Sequence, residues 1–238
     1  MTPFSRLLLP TLLVLLSCIS VHAQMTDSST ESVNSSPNAA AVPETSSGDP
    51  YALKHGDNEF GFWAGFAPAA TTIFGGLHED EAADRKFFLA AFRYGRTLAA
   101  NEHVALQYTF DAIPVAVASG VIVSRTTIGG VTTFRRETAY GGGVTPLGLQ
   151  LDFSNHSKVH PFIHVNGGIL GFNKAVPIED SGKFAFVGEV GGGVRIFTSD
   201  RRAVTLGVMF HHISNGDTAG SNRGLNQFVI YGGFSWFK

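Results

Sequence analysis

The sequence predicts an all-β protein: an eight-stranded antiparallel β-barrel of the outer-membrane kind. Three observations carry that prediction. Residues 51–238 alternate apolar and polar side chains in runs that often reach ten or more residues, longer than most strands of soluble sheets. The runs number eight, and the connections between them alternate long and short. The last run, QFVIYGGFSWFK, puts Phe228, Ile230, Gly232, Phe234 and Trp236 on one face and Gln227, Val229, Tyr231, Gly233 and Ser235 on the other. An apolar, aromatic outer face suits a lipid-facing wall.

The chain begins with a segment of another character. Arg6 supplies a positive start, LLLPTLLVLLSCISV a short apolar core, and Val21-His22-Ala23 small residues where a signal peptidase reads. Residues 1–23 are therefore expected to be a signal peptide, the run being too short for a spanning helix. The only cysteine, Cys18, lies inside it, so the mature chain has no disulfide, thiol nucleophile or thiolate metal site. An acylation site at Leu15-Leu16-Ser17-Cys18 is the competing reading, and Leu16 fits it poorly. Residues 24–50, rich in Ser, Thr, Pro and Asn, bury too little apolar surface to offset their ordering entropy and read as a disordered spacer.

The body, residues 51–238, has no stretch of 18 apolar residues, which excludes spanning helices. Strands are expected at 59–73, 85–98, 103–118, 144–155, 159–171, 184–197, 202–214 and 226–237. Connections after the first, third and fifth are long; those after the second, fourth and sixth are short. With the last strand ending at the periplasm, the loop Asn215–Leu225 lies outside the cell. Glycine clusters such as YGGGVTP and EVGGGVRIF lack the Lys-Ser/Thr of a phosphate loop and read as bends in a curved sheet. A formal charge of −2 gives no electrostatic reason to expect nucleic acid.

Chemistry concentrates in HHISNGDTAGSNRGLN, residues 211–226. In the strand 202–214, Val204, Leu206, Val208, Phe210, His212 and Ser214 share one face, apolar until its end. That is the expected lipid-facing wall. An imidazole there can take the proton from Ser214 and make it a nucleophile towards an ester carbonyl, while Asn215 can donate to a developing oxyanion through its side chain or backbone N–H. A site on the wall meets lipid acyl chains directly. The bland alternative is a pair of polar residues at the interfacial rim. Elsewhere, His160 and His164 lie about 13 Å apart along one strand, too far to share a metal. Glu189 is expected inside the barrel with Arg195 as a candidate partner, and Arg125, Arg135 and Arg136 lie in or near the long third loop.

The terminal strand resembles the C-terminal signal of bacterial outer-membrane proteins, with Phe237 one place before the end. More specifically, FHHISN with NRGL after it, together with HPFIHVNGGILGFN and FAFVGEVGGGVRIF, resembles the lipid A 3-O-deacylases of the PagL type over about residues 58–238. The resemblance implies an outer-membrane esterase that removes the 3-O-linked acyl chain of lipid A, without cofactor or metal. It assigns the base to His212, the nucleophile to Ser214, the oxyanion site to Asn215, and a supporting asparagine to Asn222. Where the family has a glutamate that orients the histidine, this chain has Asn226. Three readings stay open: Asn226 orients His212 without a charge, Asp217 supplies the acid, or the barrel is a non-catalytic structural or lipid-binding shell. A phospholipase using the same site is a further alternative. Lipid A or lipopolysaccharide of the outer leaflet is the expected partner, and a homodimer is left open.

Overall fold

In the computed structural model of the protein, eight long strands close into one antiparallel barrel. The structure describes residues 49–238 except 75, 78–83, 122–125, 130 and 134–135. The expected signal peptide, the spacer up to residue 48, and the loop residues Arg125 and Arg135 lie outside the described residues. The barrel strands are β1 (Asn58–Ala67), β3 (Lys86–Ala100), β4 (Val104–Val121), β7 (Arg136–Phe153), β8 (Val159–Phe172), β9 (Phe184–Ser199), β10 (Arg202–Ser214) and β11 (Leu225–Phe237). Each pairs with its sequence neighbour, and β1 pairs with β11 from Glu59↔Phe237 to Phe66↔Ile230, which leaves no barrel edge. A small hairpin, β5 (Thr126–Ile128) and β6 (Val131–Thr133), stands in the third loop.

The two-residue strand β2 (Ala70–Thr71) adds to β11 beyond the end of β1. Between Phe66↔Ile230 and Thr71↔Asn226 the register gains one residue on the first strand. Pro68 has no N–H to give a ladder, so the strand breaks there as at a bulge and resumes displaced. The expected single strand 59–73 is thus two pieces.

The fourth barrel strand starts at Arg136 rather than at residue 144. Its first half contains Gly141-Gly142-Gly143, which sequence alternation does not mark as strand. A Cβ at Gly143 would come within 2.0 Å of the Ile169 carbonyl of β8, so only glycine lets the two strands approach there.

The wall is apolar outside and polar inside. Phe62, Phe92, Leu147, Ile163, Val190, Leu206 and Ile230 are all exposed on the outer face. Inside, Arg93 grips Asp111 with two hydrogen bonds of 2.8 and 2.7 Å. Arg195 donates to Gln107 and Asp152 at 2.9 Å and to Glu59 at 2.8 Å. Above this layer an apolar cluster including Leu77, Phe87, Leu89, Phe172, Ile213 and Leu225 fills the long-loop end. At the short-turn end Leu53 packs with Ala105, Phe197, Ala203 and Phe237. Asn155 holds it there, accepting from the Leu53 N–H and donating to the Leu53 carbonyl, both at 2.9 Å. The barrel is a packed body with both ends stoppered.

Candidate active site

Strand β10 displays Val204, Leu206, Val208, Phe210, His212 and Ser214 outwards and buries Ala203, Met209, His211 and Ile213 inside, the alternation expected from the sequence. His212 stands directly across from Asn226 of β11. Its Nδ1 and the Asn226 Oδ1 are 2.5 Å apart, and the Asn226 Nδ2 donates to the carbonyl of Ile73 at 2.9 Å. Asn226 belongs to the outer face by alternation, yet it is buried: β2 pairs beside it, and the backbone beyond β2, at Ile73 and Gly76, packs against its side chain. The other side of the imidazole rests against Gly224, where a Cβ would come within 2.8 Å of Cε1. The glycine of NRGL is therefore a seat for the ring.

Ser214 is half-buried at the end of the same row, beside Phe186 of β9. Among the described residues no hydrogen bond joins Ser214 to His212. The two are neighbours on one face, about 7 Å apart by strand rise, and apo hydrogen bonds of this kind are often made only with substrate present.

Asn215 is buried, and its side chain is occupied. Its Nδ2 donates to the carbonyls of Ser181 and Ser221, both at 2.7 Å, and its Oδ1 accepts from the Asp217 N–H at 3.0 Å. Ser221 N–H in turn donates to the Asp180 carbonyl at 3.0 Å, so the loop after β10 is stitched to the loop after β8. Asn215 thereby fixes the backbone that follows the serine. Asp217 has a left-handed backbone (φ 63°) and an exposed side chain. Asn222 is exposed in the same loop, and among the described residues no hydrogen bond brings it to His212 or Ser214.

Across the wall from His212 lies a strip without side chains. His212 is level with Gly188 of β9, Gly188 with Gly167 of β8, and Gly167 with Leu147 of β7. A Cβ at Gly188 would meet nothing within 4 Å, and one at Gly167 would meet only ordinary contacts. Packing does not demand glycine here. Phe186 and Ile169 border the strip on the loop side and Val190 and Val165 on the other, which leaves a trough about 14 Å long over three strand spacings. Val165 and Val190 also line an open apolar hollow of about 350 Å³ with Leu106, Leu149, Leu151 and Ile163.

Behind the wall, Glu189 does face the interior, but its partner is not Arg195. It accepts from Asn166 at 2.8 Å and pairs with His211 Nδ1 at 2.9 Å. Arg195 is engaged one layer further down with Glu59 and Asp152. His211, next to His212 in sequence, is thus part of the buried core. His160 and His164 are buried inside the barrel as well. Arg136 is exposed and pairs with Asp84 at 2.6 Å. What sequence reasoning missed is Ile73, whose carbonyl reaches Asn226; the expected strand 59–73 included the residue but gave it no role.

Fold and site together define an outer-membrane β-barrel with a histidine and a serine on its lipid-facing wall at the long-loop end. The model of the family "Lipid A 3-O-deacylase (PagL)" matches residues 104–235, which is more than half of the chain, and the chain belongs to that family. No curated protein matches it by sequence. Among solved structures it is similar to the outer membrane enzyme PagL, with 12% identity, a TM-score of 0.45, and 74% of this chain and 97% of that chain covered. It is similar also to Neisserial surface protein A, with 11% identity, a TM-score of 0.41, and 76% and 96% covered. A third is the outer membrane protein OprG from Pseudomonas aeruginosa, with 12% identity, a TM-score of 0.40, and 79% and 98% covered.

Proposed function

We propose that this barrel hydrolyses the 3-O-acyl ester of lipid A in the outer leaflet, with Ser214 as nucleophile and His212 as base. The observation that carries the reading is the held imidazole: His212 sits on the lipid-facing wall with Nδ1 on Asn226, two places from Ser214 on the same face. Its Nε2 is then the atom left to take the Ser214 proton. Serine Oγ attacks the ester carbon, and the negative charge passes to the former carbonyl oxygen. The backbone N–H of Asn215 would donate to that charge, since the Asn215 side-chain amide is engaged elsewhere. Collapse breaks the bond to the sugar oxygen, which leaves with the proton from His212. Water, deprotonated by the same imidazole, then releases the acid and restores Ser214. Asn226 orients the ring but offers no negative charge to the imidazolium, so its part is to hold the ring rather than to stabilise its charge. Asn222 is exposed in the loop after β10 and takes no part in these steps.

Residues 1–23 would direct export, and the long loops would face outwards. The glycine strip beside His212 gives an acyl chain a path along the wall without entering the barrel. Gly188→Leu is expected to fold normally, because its side chain enters open space. It should slow hydrolysis of long-chain esters by roughly tenfold while sparing short-chain ones. Rates on an ester series with the purified variant check this.

The test of substrate class is to give the purified protein lipopolysaccharide and glycerophospholipid side by side and identify the released acids. A 3-hydroxy fatty acid from lipopolysaccharide supports the deacylase. Release only from glycerophospholipid would make the site a phospholipase, and release from neither would leave a non-catalytic shell.

A further inference from the structure

We propose that the segment Ala70–Phe74 is a positioning strap: its Ile73 carbonyl fixes the Asn226 amide, and through it the proton on His212, so that this chain requires an amide where its family has an acid. The activity arm of the test below rests on the Ser214–His212 reading; the spectroscopic arm does not.

Polarity alone makes the case. A backbone carbonyl can only accept, so the Asn226 atom 2.9 Å from Ile73 O must be the NH2 group. The amide oxygen then faces His212, 2.5 Å from Nδ1, and that nitrogen must carry the proton. One carbonyl thus sets the imidazole tautomer two residues removed from it in the chain of hydrogen bonds.

The strap is held at several points. Thr71 and Ala70 pair with Asn226 and Gln227. Ile73 N–H donates to Thr71 Oγ1 at 3.3 Å. Phe74, in a left-handed conformation (φ 64°), stacks edge-on against Phe210 of the outer wall, 5.5 Å between centroids. Just beyond, Leu77 is buried in the apolar cluster inside the barrel mouth. Gly76 has φ 98°, and a Cβ there would lie 2.7 Å from the Gly224 carbonyl and 3.4 Å from Asn226 Nδ2. Backbone is therefore packed against Asn226 and against the glycine on which His212 rests.

A carboxylate at position 226 would satisfy His212 but turn its second oxygen towards Ile73 O. Two acceptors would then face each other without a proton. A neutral carboxylic acid, by contrast, has the hydrogen-bonding pattern of the amide. Asn226→Asp is consequently expected to be a poor substitute where the acid is ionised and a better one where it is protonated.

The experiment uses the full-length protein, ¹⁵N-labelled at histidine and folded in detergent micelles, with His212 assigned by loss of its signals in His212→Gln. Heat-modifiable migration on gels confirms that each variant is a closed barrel. The wild type should show neutral His212 protonated at Nδ1, and Asn226→Ala should shift it towards a mixture of tautomers. An Nε2-protonated His212 in the wild type would overturn the proposal. With lipopolysaccharide as substrate, Asn226→Asp should lower the rate about tenfold at pH 8. The ratio of variant to wild-type rate should rise as the pH falls. In a Gly76→Ala background, which displaces the strap, Asn226→Asp should no longer lower the rate. An Asn226→Asp rate equal to or above wild type with the strap intact would sink the proposal. If the wild type hydrolyses nothing, only the hydrolase reading falls, and the tautomer decides the strap.

Discussion

Replacing Ser214 by alanine is expected to reduce ester hydrolysis by about 10³-fold or more, because the nucleophile and its base act as a unit. The barrel should be untouched: Ser214 is the last residue of β10, half-buried, and among the described residues its hydroxyl makes no hydrogen bond that the fold would lose. Released fatty acid from purified wild-type and variant protein, with heat-modifiable migration as the fold control, measures both. His212→Gln should cost a similar factor. A rate equal to wild type in Ser214→Ala would move the chemistry elsewhere on the barrel.

The second large effect falls on stability. Arg195 is only 1% exposed and binds Glu59, Asp152 and Gln107 while its guanidinium lies 5.1 Å from the Phe237 ring centroid. Arg195→Ala leaves two carboxylates inside the barrel without their cation, and the expected loss is about 3–5 kcal/mol. The triple variant Arg195→Met, Glu59→Gln, Asp152→Asn removes all three charges and should recover most of that loss. Urea unfolding of the barrel from lipid vesicles, followed by tryptophan fluorescence, compares them. Equal midpoints for Arg195→Ala and wild type would mean that the interior charges are hydrated rather than paired.

The wall was readable from sequence because strand periodicity is local: alternation in 202–214 and 227–237 assigns each side chain to the outer or inner face before any partner is known. That sufficed to put His212 and Ser214 on the lipid side. Partners across the barrel were not readable, since they depend on closure and shear. Alternation puts both Glu189 and Arg195 inside, but shear sets Glu189 level with His211 and Asn166 and leaves Arg195 to Glu59 and Asp152. Strand β7 began earlier than expected because Gly141–Gly143 carries no hydrophobic pattern, only the need for close approach to β8. The contact of Ile73 with Asn226 hangs on a one-residue slip at Pro68; the proline marks where the ladder breaks, but not the register in which the strand resumes.

Asn226 and His212 are another matter. The family resemblance named them, and the register pairs them directly. The resemblance could not say what an asparagine does in that place; a pair of side-chain hydrogen bonds of opposite polarity supplies the reason, one to a histidine and one to a carbonyl.

The most direct test of the account is the mass of lipid A from cells making the intact chain, beside cells making Ser214→Ala, with both barrels verified as folded in the outer membrane. The account predicts lipid A lighter by one 3-hydroxyacyl group with the intact chain alone. Identical lipid A masses in the two strains, equal to that of cells lacking the chain, would contradict it.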